Sequence, residues 1–154
     1  MLTDAQILAK YGKPGITSNL TVITLPYSMR IAWDLAHSIN KMQCHELVAN
    51  NFLKVFDDLL AHYGIEKLRE LGIDLFGGCY NFRLMRGSKT KWSRHSWGIA
   101  IDLNPAQNGL KTKWVQAQFS KPEFSFMVET FYKHGFMSYG KERDYDAMHF
   151  EINS

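Results

Sequence analysis

Two short segments late in the chain constrain the fold most: "GIAIDLN" (98–104) and "AMHFEI" (147–152). Extended backbone sends successive side chains to opposite faces. In the first segment Ile99, Ile101 and Leu103 share one face, and Ala100, Asp102 and Asn104 share the other. In the second, Met148, Phe150 and Ile152 share one face while His149 and Glu151 share the opposite one. Each therefore reads as a strand with an apolar face for the core and a second face carrying small or ionisable groups. If the two strands pair, Asp102 and His149 meet on one polar wall. The aspartate then belongs to a cleft.

The rest of the chain supplies helices to cover such a sheet. "TDAQILAKYG" reads as a short helix with Thr3 as N-cap and Gly12 as stop. "SNLTVITLPY" and "SMRIAWDLA" carry short alternating or β-branched runs, which predict strand or an extended arm. "HELVANNFLKVFDDLLAHYG" has apolar residues from Leu47 to Tyr63 at helical spacing and ends at Gly64; "IEKLRELG" adds one more short helix. The middle, from Gly77 to about Lys113, reads as loop with strands near Cys79–Arg83 and Ile99–Leu103. "SKPEFSFMVETFYKHG" opens with Ser120 and Glu123 at capping-box spacing and stops at Gly135. The expected class is α+β: helices packed on one side of a small antiparallel sheet, with the ionisable wall on the open face.

At 154 residues, with no repeat or linker, the chain reads as one domain (1–154) able to bury a real core. A formal charge of +3 is too small to argue for nucleic acid, and no glycine loop is placed to cradle a phosphate. The N-terminal stretch is too polar for a signal peptide, and no apolar run approaches a membrane span. Cys44 and Cys79 are far apart and form no CxxC pair, so two reduced, buried thiols are expected.

His95 stands before a Ser-Trp-Gly turn, where Gly98 permits a bend that swings the imidazole back over the strand. Two histidines and a carboxylate converging on one point suit zinc. Three protein ligands, His95, Asp102 and His149, leave a fourth position open, as catalytic sites do. Asp146 precedes His149 by three and is placed to act as general base; Asp144 competes with it, and spacing does not choose between them. His62 and His134 stand just before helix-ending glycines, where positive charge suits the helix dipole. His45 opens the long helix beside Cys44 without partners at zinc-finger spacing, and His37 carries no signal. Trp92 and Trp97 read as core or cleft wall.

"SRHSWGIAID" (93–102) resembles, at every fixed position, the SxHxxGxAxD signature of the zinc D-alanyl-D-alanine carboxypeptidases and L-alanyl-D-glutamate endopeptidases. "DAMH" (146–149) resembles that family's second box, and "FGGCYNFRLMRG" and "AIDLNPAQN" look like its phage and prophage members, several of which are endolysins. The resemblance implies a fold of the DD-peptidase and hedgehog type, one zinc ion on His95, Asp102 and His149, and Asp146 as catalytic base. It implies that Ser93 helps hold substrate. Arg83 is then placed to polarise the scissile carbonyl or bind a carboxylate, with Arg86 a near competitor for that role.

The implied activity is hydrolysis of peptidoglycan stem-peptide bonds, L-Ala-D-Glu first and D-Ala-D-Ala second. A zinc-stabilised, non-cutting binding or virion module is the rival class. The expected protein is a monomer made in the cytoplasm, acting on the wall after release, without membrane insertion or a separate wall-binding domain.

Overall fold

The structure is a computed structural model describing residues 1–154. Six strands form one sheet in the order β2-β1-β3-β4-β6-β5. They are β1 (Leu20–Ile31), β2 (Asp34–His45), β3 (Leu75–Gly78), β4 (Ala100–Leu103), β5 (Phe136–Ser138) and β6 (His149–Ile152). Four helices accompany them: α1 (Asp4–Tyr11), α2 (Ala49–Leu71), α3 (Ser125–Lys133) and α4 (Tyr139–Arg143). The α+β class is as expected, but the sheet is mixed rather than antiparallel. β3 runs parallel to β1, because α2 returns the chain across the sheet between β2 and β3.

Hairpin β1–β2 is the longest strand pair. Ile23, Leu25, Tyr27 and Met29 alternate inward along β1, with exposed residues between them. Pro26, which has no N–H to donate, sits where the β1–β2 register breaks between Thr24 and Met29. Facing β1, helix α2 buries Phe52, Val55, Phe56 and Leu59. It starts at Ala49, after a 3-10 turn over Glu46–Val48 that His45 caps through its Nδ1. Gly64 (φ 73) breaks it, so "IEKLREL" forms the separate helical stretch expected.

The core continues through stacked aromatics: Phe131 of α3 lies on Phe150 of β6 at 4.2 Å, and Phe136 lies 4.7 Å from Phe52. Each fully buried side chain of this size contributes about 1.5–3 kcal/mol through lost apolar exposure. Arg30 makes a two-pronged ion pair at 2.7 and 2.8 Å with the wholly buried Asp74, tying β1 to the entry of β3.

Three local expectations are corrected. Cys79–Arg83 is a loop, and the strand lies just before it at Leu75–Gly78; the loop gives its backbone bonds to the 93–96 segment instead of a ladder. Ser120 does not cap α3, since its hydroxyl donates to the Ala117 carbonyl and a 3-10 turn at Pro122–Phe124 precedes the helix. Met148 lines the cleft with His149 instead of joining Phe150 and Ile152, because the strand begins only at His149. The helices also divide. α2 and α3 pack on the apolar side, whereas α4 flanks the cleft through Tyr139, whose ring sits 4.5 Å from that of His149.

Candidate metal centre

The site is built from the β4–β6 pair and the turn that precedes β4. Residues Arg94–Trp97 form one 3-10 turn, capped at its start by the Ser93 hydroxyl, which accepts from the His95 N–H at 3.3 Å. Gly98 ends the turn at φ 71. A side chain there would put Cβ 2.8 Å from the His45 nitrogen, and the Gly98 carbonyl accepts from that same N–H at 2.9 Å. Glycine is therefore needed twice, for the left-handed conformation and for close docking against the end of β2. The turn delivers His95 over β4.

Across the sheet Asp102 is in register with His149. Its carboxylate holds both imidazoles: Oδ2 lies 3.2 Å from His95 Nε2 and Oδ1 lies 3.1 Å from His149 Nδ1. One donor atom from each of the three residues falls within 4.8 Å of the others.

The outer nitrogens are spoken for. His95 Nδ1 is 2.7 Å from the Cys79 carbonyl, which only accepts, so that nitrogen carries the proton and Nε2 turns its lone pair inward. That Nε2 is buried and has no hydrogen-bond partner. His149 Nε2 is 2.9 Å from Glu151 Oε1, which leaves Nδ1 facing the centre. Two inward imidazole nitrogens and one carboxylate, with an orphaned buried nitrogen among them, fit a zinc ion by donor chemistry.

Electrostatics reflect the crowding. Burial pushes the Asp102 carboxyl up, but the electrostatic pull of the neighbouring His95 and the hydrogen bond from His149 outweigh it and carry the group below the usual carboxylate range. Burial depresses His149, yet its hydrogen bonds to Asp102 and Glu151 prevail and raise it to about 10. Protons and a metal ion therefore compete for the same inward nitrogen.

Asp146 and Asp144 separate clearly. Both have positive φ, 53 and 60. Asp146 lines the cleft beside the His-Asp-His cluster, pinned by its N–H to the Leu110 carbonyl at 2.8 Å. Burial raises its carboxyl above the ordinary value, the Asp102 charge adding to that and the His149 charge opposing it. Asp144 instead accepts from the Trp114 N–H at 2.8 Å and stands 3.6 Å from Lys113 on the surface. The cleft encloses about 630 Å³, within the range of small-ligand sites. Arg83, Arg86 and Ser93 all line it. Arg83 reaches the Leu84 carbonyl at 3.3 Å, while the Arg86 charge acts on Asp146.

The remaining histidines and cysteines have ordinary duties. His45 Nε2 donates to the Tyr11 carbonyl at 2.9 Å, His62 stacks on Phe126, and His134 pairs with Asp58 at 2.7 Å. Cys44 and Cys79 are free and buried, and burial pushes the Cys44 thiol up to about 12. Trp97 is core and donates to the Gly12 carbonyl; Trp92 stacks on Phe82.

The sequence reading passed over three residues: Glu151, Arg94 and Tyr139. Glu151 shares a face with His149 by simple alternation, which was the available signal. Arg94 and Tyr139 carried none, since only the fold brings them to β6.

Residues 86–152 match the family model described as D-alanyl-D-alanine carboxypeptidase. The match spans less than half of the chain, but it takes in His95, Asp102, Asp146 and His149 and leaves Arg83 outside. It supports a peptidase. No curated protein and no solved structure matches the chain. No helix is long and apolar enough to cross a membrane.

Proposed function

We propose that the protein is a zinc-dependent peptidase that hydrolyses amide bonds in the peptide stems of bacterial peptidoglycan. The observation that carries the reading is the His95–Asp102–His149 cluster with both inward nitrogens free of protein donors, lying beside the half-buried Asp146 carboxylate in a cleft. His95, Asp102 and His149 would hold the ion. When bound there, zinc supplies Lewis acidity, polarising an amide carbonyl and lowering the pKa of a water to about 7.

The chain's own residues do the rest. Asp146, whose carboxyl burial raises above its ordinary value, takes a proton from the attacking water and passes it to the leaving amine. Arg83 holds the negative charge that develops on the scissile carbonyl oxygen, or a substrate carboxylate, with Arg86 the neighbouring contender. Ser93 lines the cleft while its oxygen caps the turn, so its part in substrate binding is as a wall of fixed shape. Cations from separate chain segments, among them Arg86, Lys91, Lys111 and Arg143, line the same cleft and suit a peptide rich in carboxylates.

L-Ala-D-Glu endopeptidase action of the endolysin type is the first reading, on the likeness of residues 76–87 and 100–108 to phage members of the family. D-Ala-D-Ala carboxypeptidase action is the second, favoured by the printed description of the matching family. A cleft-side carboxylate speaks against a non-cutting zinc module, because a purely structural site needs no base. Mass spectrometry of peptidoglycan digested by the zinc-loaded protein tests the proposal. New N-terminal D-Glu identifies the endopeptidase, released D-Ala identifies the carboxypeptidase, and an unchanged digest overturns both.

A further inference from the structure

Glu151 is wholly buried, an unusual place for a carboxylate. It is two residues beyond His149 on the same strand and the same face. Its Oε1 accepts the Nε2–H of His149 at 2.9 Å, and its Oε2 lies 3.5 Å from the Arg94 guanidinium, itself only 11% exposed. Arg94 is fixed in turn by the Asp4 carboxylate at 2.7 Å and the Leu2 carbonyl at 3.0 Å. Nothing in the core requires this charge. A buried carboxylate costs several kcal/mol unless it is paired and hydrogen-bonded; here Oε1 is hydrogen-bonded to His149, while Oε2 has the Arg94 charge beside it and no hydrogen bond of its own.

The two histidines are also oriented in different ways. His95 leans on a backbone carbonyl, which the fold supplies with any sequence at that position. His149 leans on a side chain, so its orientation depends on what stands at position 151. A carboxylate can only accept, so Glu151 keeps a proton on Nε2, and Nδ1 is the nitrogen that gives up its proton when a metal binds.

We propose that Glu151 is a positioning residue that acts through His149, fixing the ring's orientation and tautomer so that Nδ1 serves as metal donor, with Arg94 holding the carboxylate in place. The inference rests on the metal-site reading above. Outer partners of this kind raise the basicity of a ligand imidazole, and removing them commonly weakens metal binding about 10–100-fold.

The test is competitive chelator titration with zinc alone, run on the wild type, Glu151→Gln and Glu151→Asp, with cobalt substitution as a spectroscopic readout. Glu151→Gln keeps the volume but loses the charge, and Glu151→Asp keeps the charge but withdraws the oxygen. Both should bind zinc ~10–100-fold more weakly and show an altered cobalt absorption band. A residue needed only for folding would lower the thermal midpoint of the metal-free variants while leaving affinity and band unchanged in the folded fraction, and that result overturns the proposal.

Should the variants not fold, nitrogen-15 NMR of the wild-type histidines decides. Zinc-loaded protein should keep the His149 Nε2–H; loss of that proton, with Nδ1–H retained, overturns it. A wild type that takes up no zinc removes the metal-site reading itself. Normal uptake with indifferent variants removes only the role of Glu151.

Discussion

Asp102 and His149 stand directly opposite each other across the antiparallel β4–β6 pair, with Oδ1 3.1 Å from Nδ1. Their neighbours in the ladder, Ile101 and Phe150, are also paired and fully buried on the other face. The core thereby sets the register of the site. A slip by one residue would carry His149 among the aromatics and Phe150 into the cleft.

Asp146 is proposed to touch the reacting water and not the metal. Asp146→Asn keeps the size but cannot take a proton at neutral pH. It should fold, retain zinc and lose hydrolytic rate by ~10²–10⁴-fold. Asp144→Asn can still accept from the Trp114 N–H, loses only the surface charge facing Lys113, and should stay active. Steady-state rates on purified peptidoglycan fragments check this. A dead Asp144 variant beside an active Asp146 variant would move the role to Asp144.

Metal-free and zinc-loaded protein should respond oppositely to pH. Without the ion, His149 is raised to about 10 against an ordinary value near 6.5. Its contribution to stability is therefore complete below about pH 6.5 and lost as pH rises through about 10. Chelated protein should lose thermal stability over that interval. Zinc displaces the proton, so its stabilising increment should keep growing as pH rises towards about 10. Calorimetry with and without chelator reads both slopes. Flat or rising stability of the chelated protein between about pH 7 and about 10 contradicts the ion-pair assignment.

Gly98→Ala should be among the costliest single changes near the site. The left-handed φ of 71 alone costs about 1–2 kcal/mol for a residue with Cβ, and the contact at 2.8 Å with the His45 nitrogen adds to it. Chemical denaturation should show a loss of about 2 kcal/mol or more. Zinc affinity should fall as well, because the turn carries His95. A variant with wild-type stability would contradict the docking role of this glycine.

The legible parts of the fold were those that local periodicity controls. Alternation in 98–104 and 147–152 placed Asp102 and His149 on one wall, and helical spacing in 47–63 located α2. Illegible parts depended on contacts distant in sequence. The strand expected at Cys79–Arg83 is a loop because the 93–96 turn takes its backbone bonds. The parallel β1–β3 contact is a consequence of where α2 returns the chain, which no local pattern records. Glu151 was placed on the correct face by alternation, but its function depends on Arg94 arriving from the turn. Asp144 and Asp146 are indistinguishable by spacing; only the Leu110 and Trp114 backbone contacts separate cleft from surface.

The most direct test of the central claim is an anomalous-difference map at the zinc edge from crystals of the protein purified without chelator. One peak per chain should appear, bonded to His95 Nε2, an Asp102 oxygen and His149 Nδ1 at about 2.0–2.2 Å, while His149 Nε2 stays on Glu151. No peak at this position in zinc-supplemented crystals, or an ion held through His149 Nε2 instead, would contradict the metal centre described here.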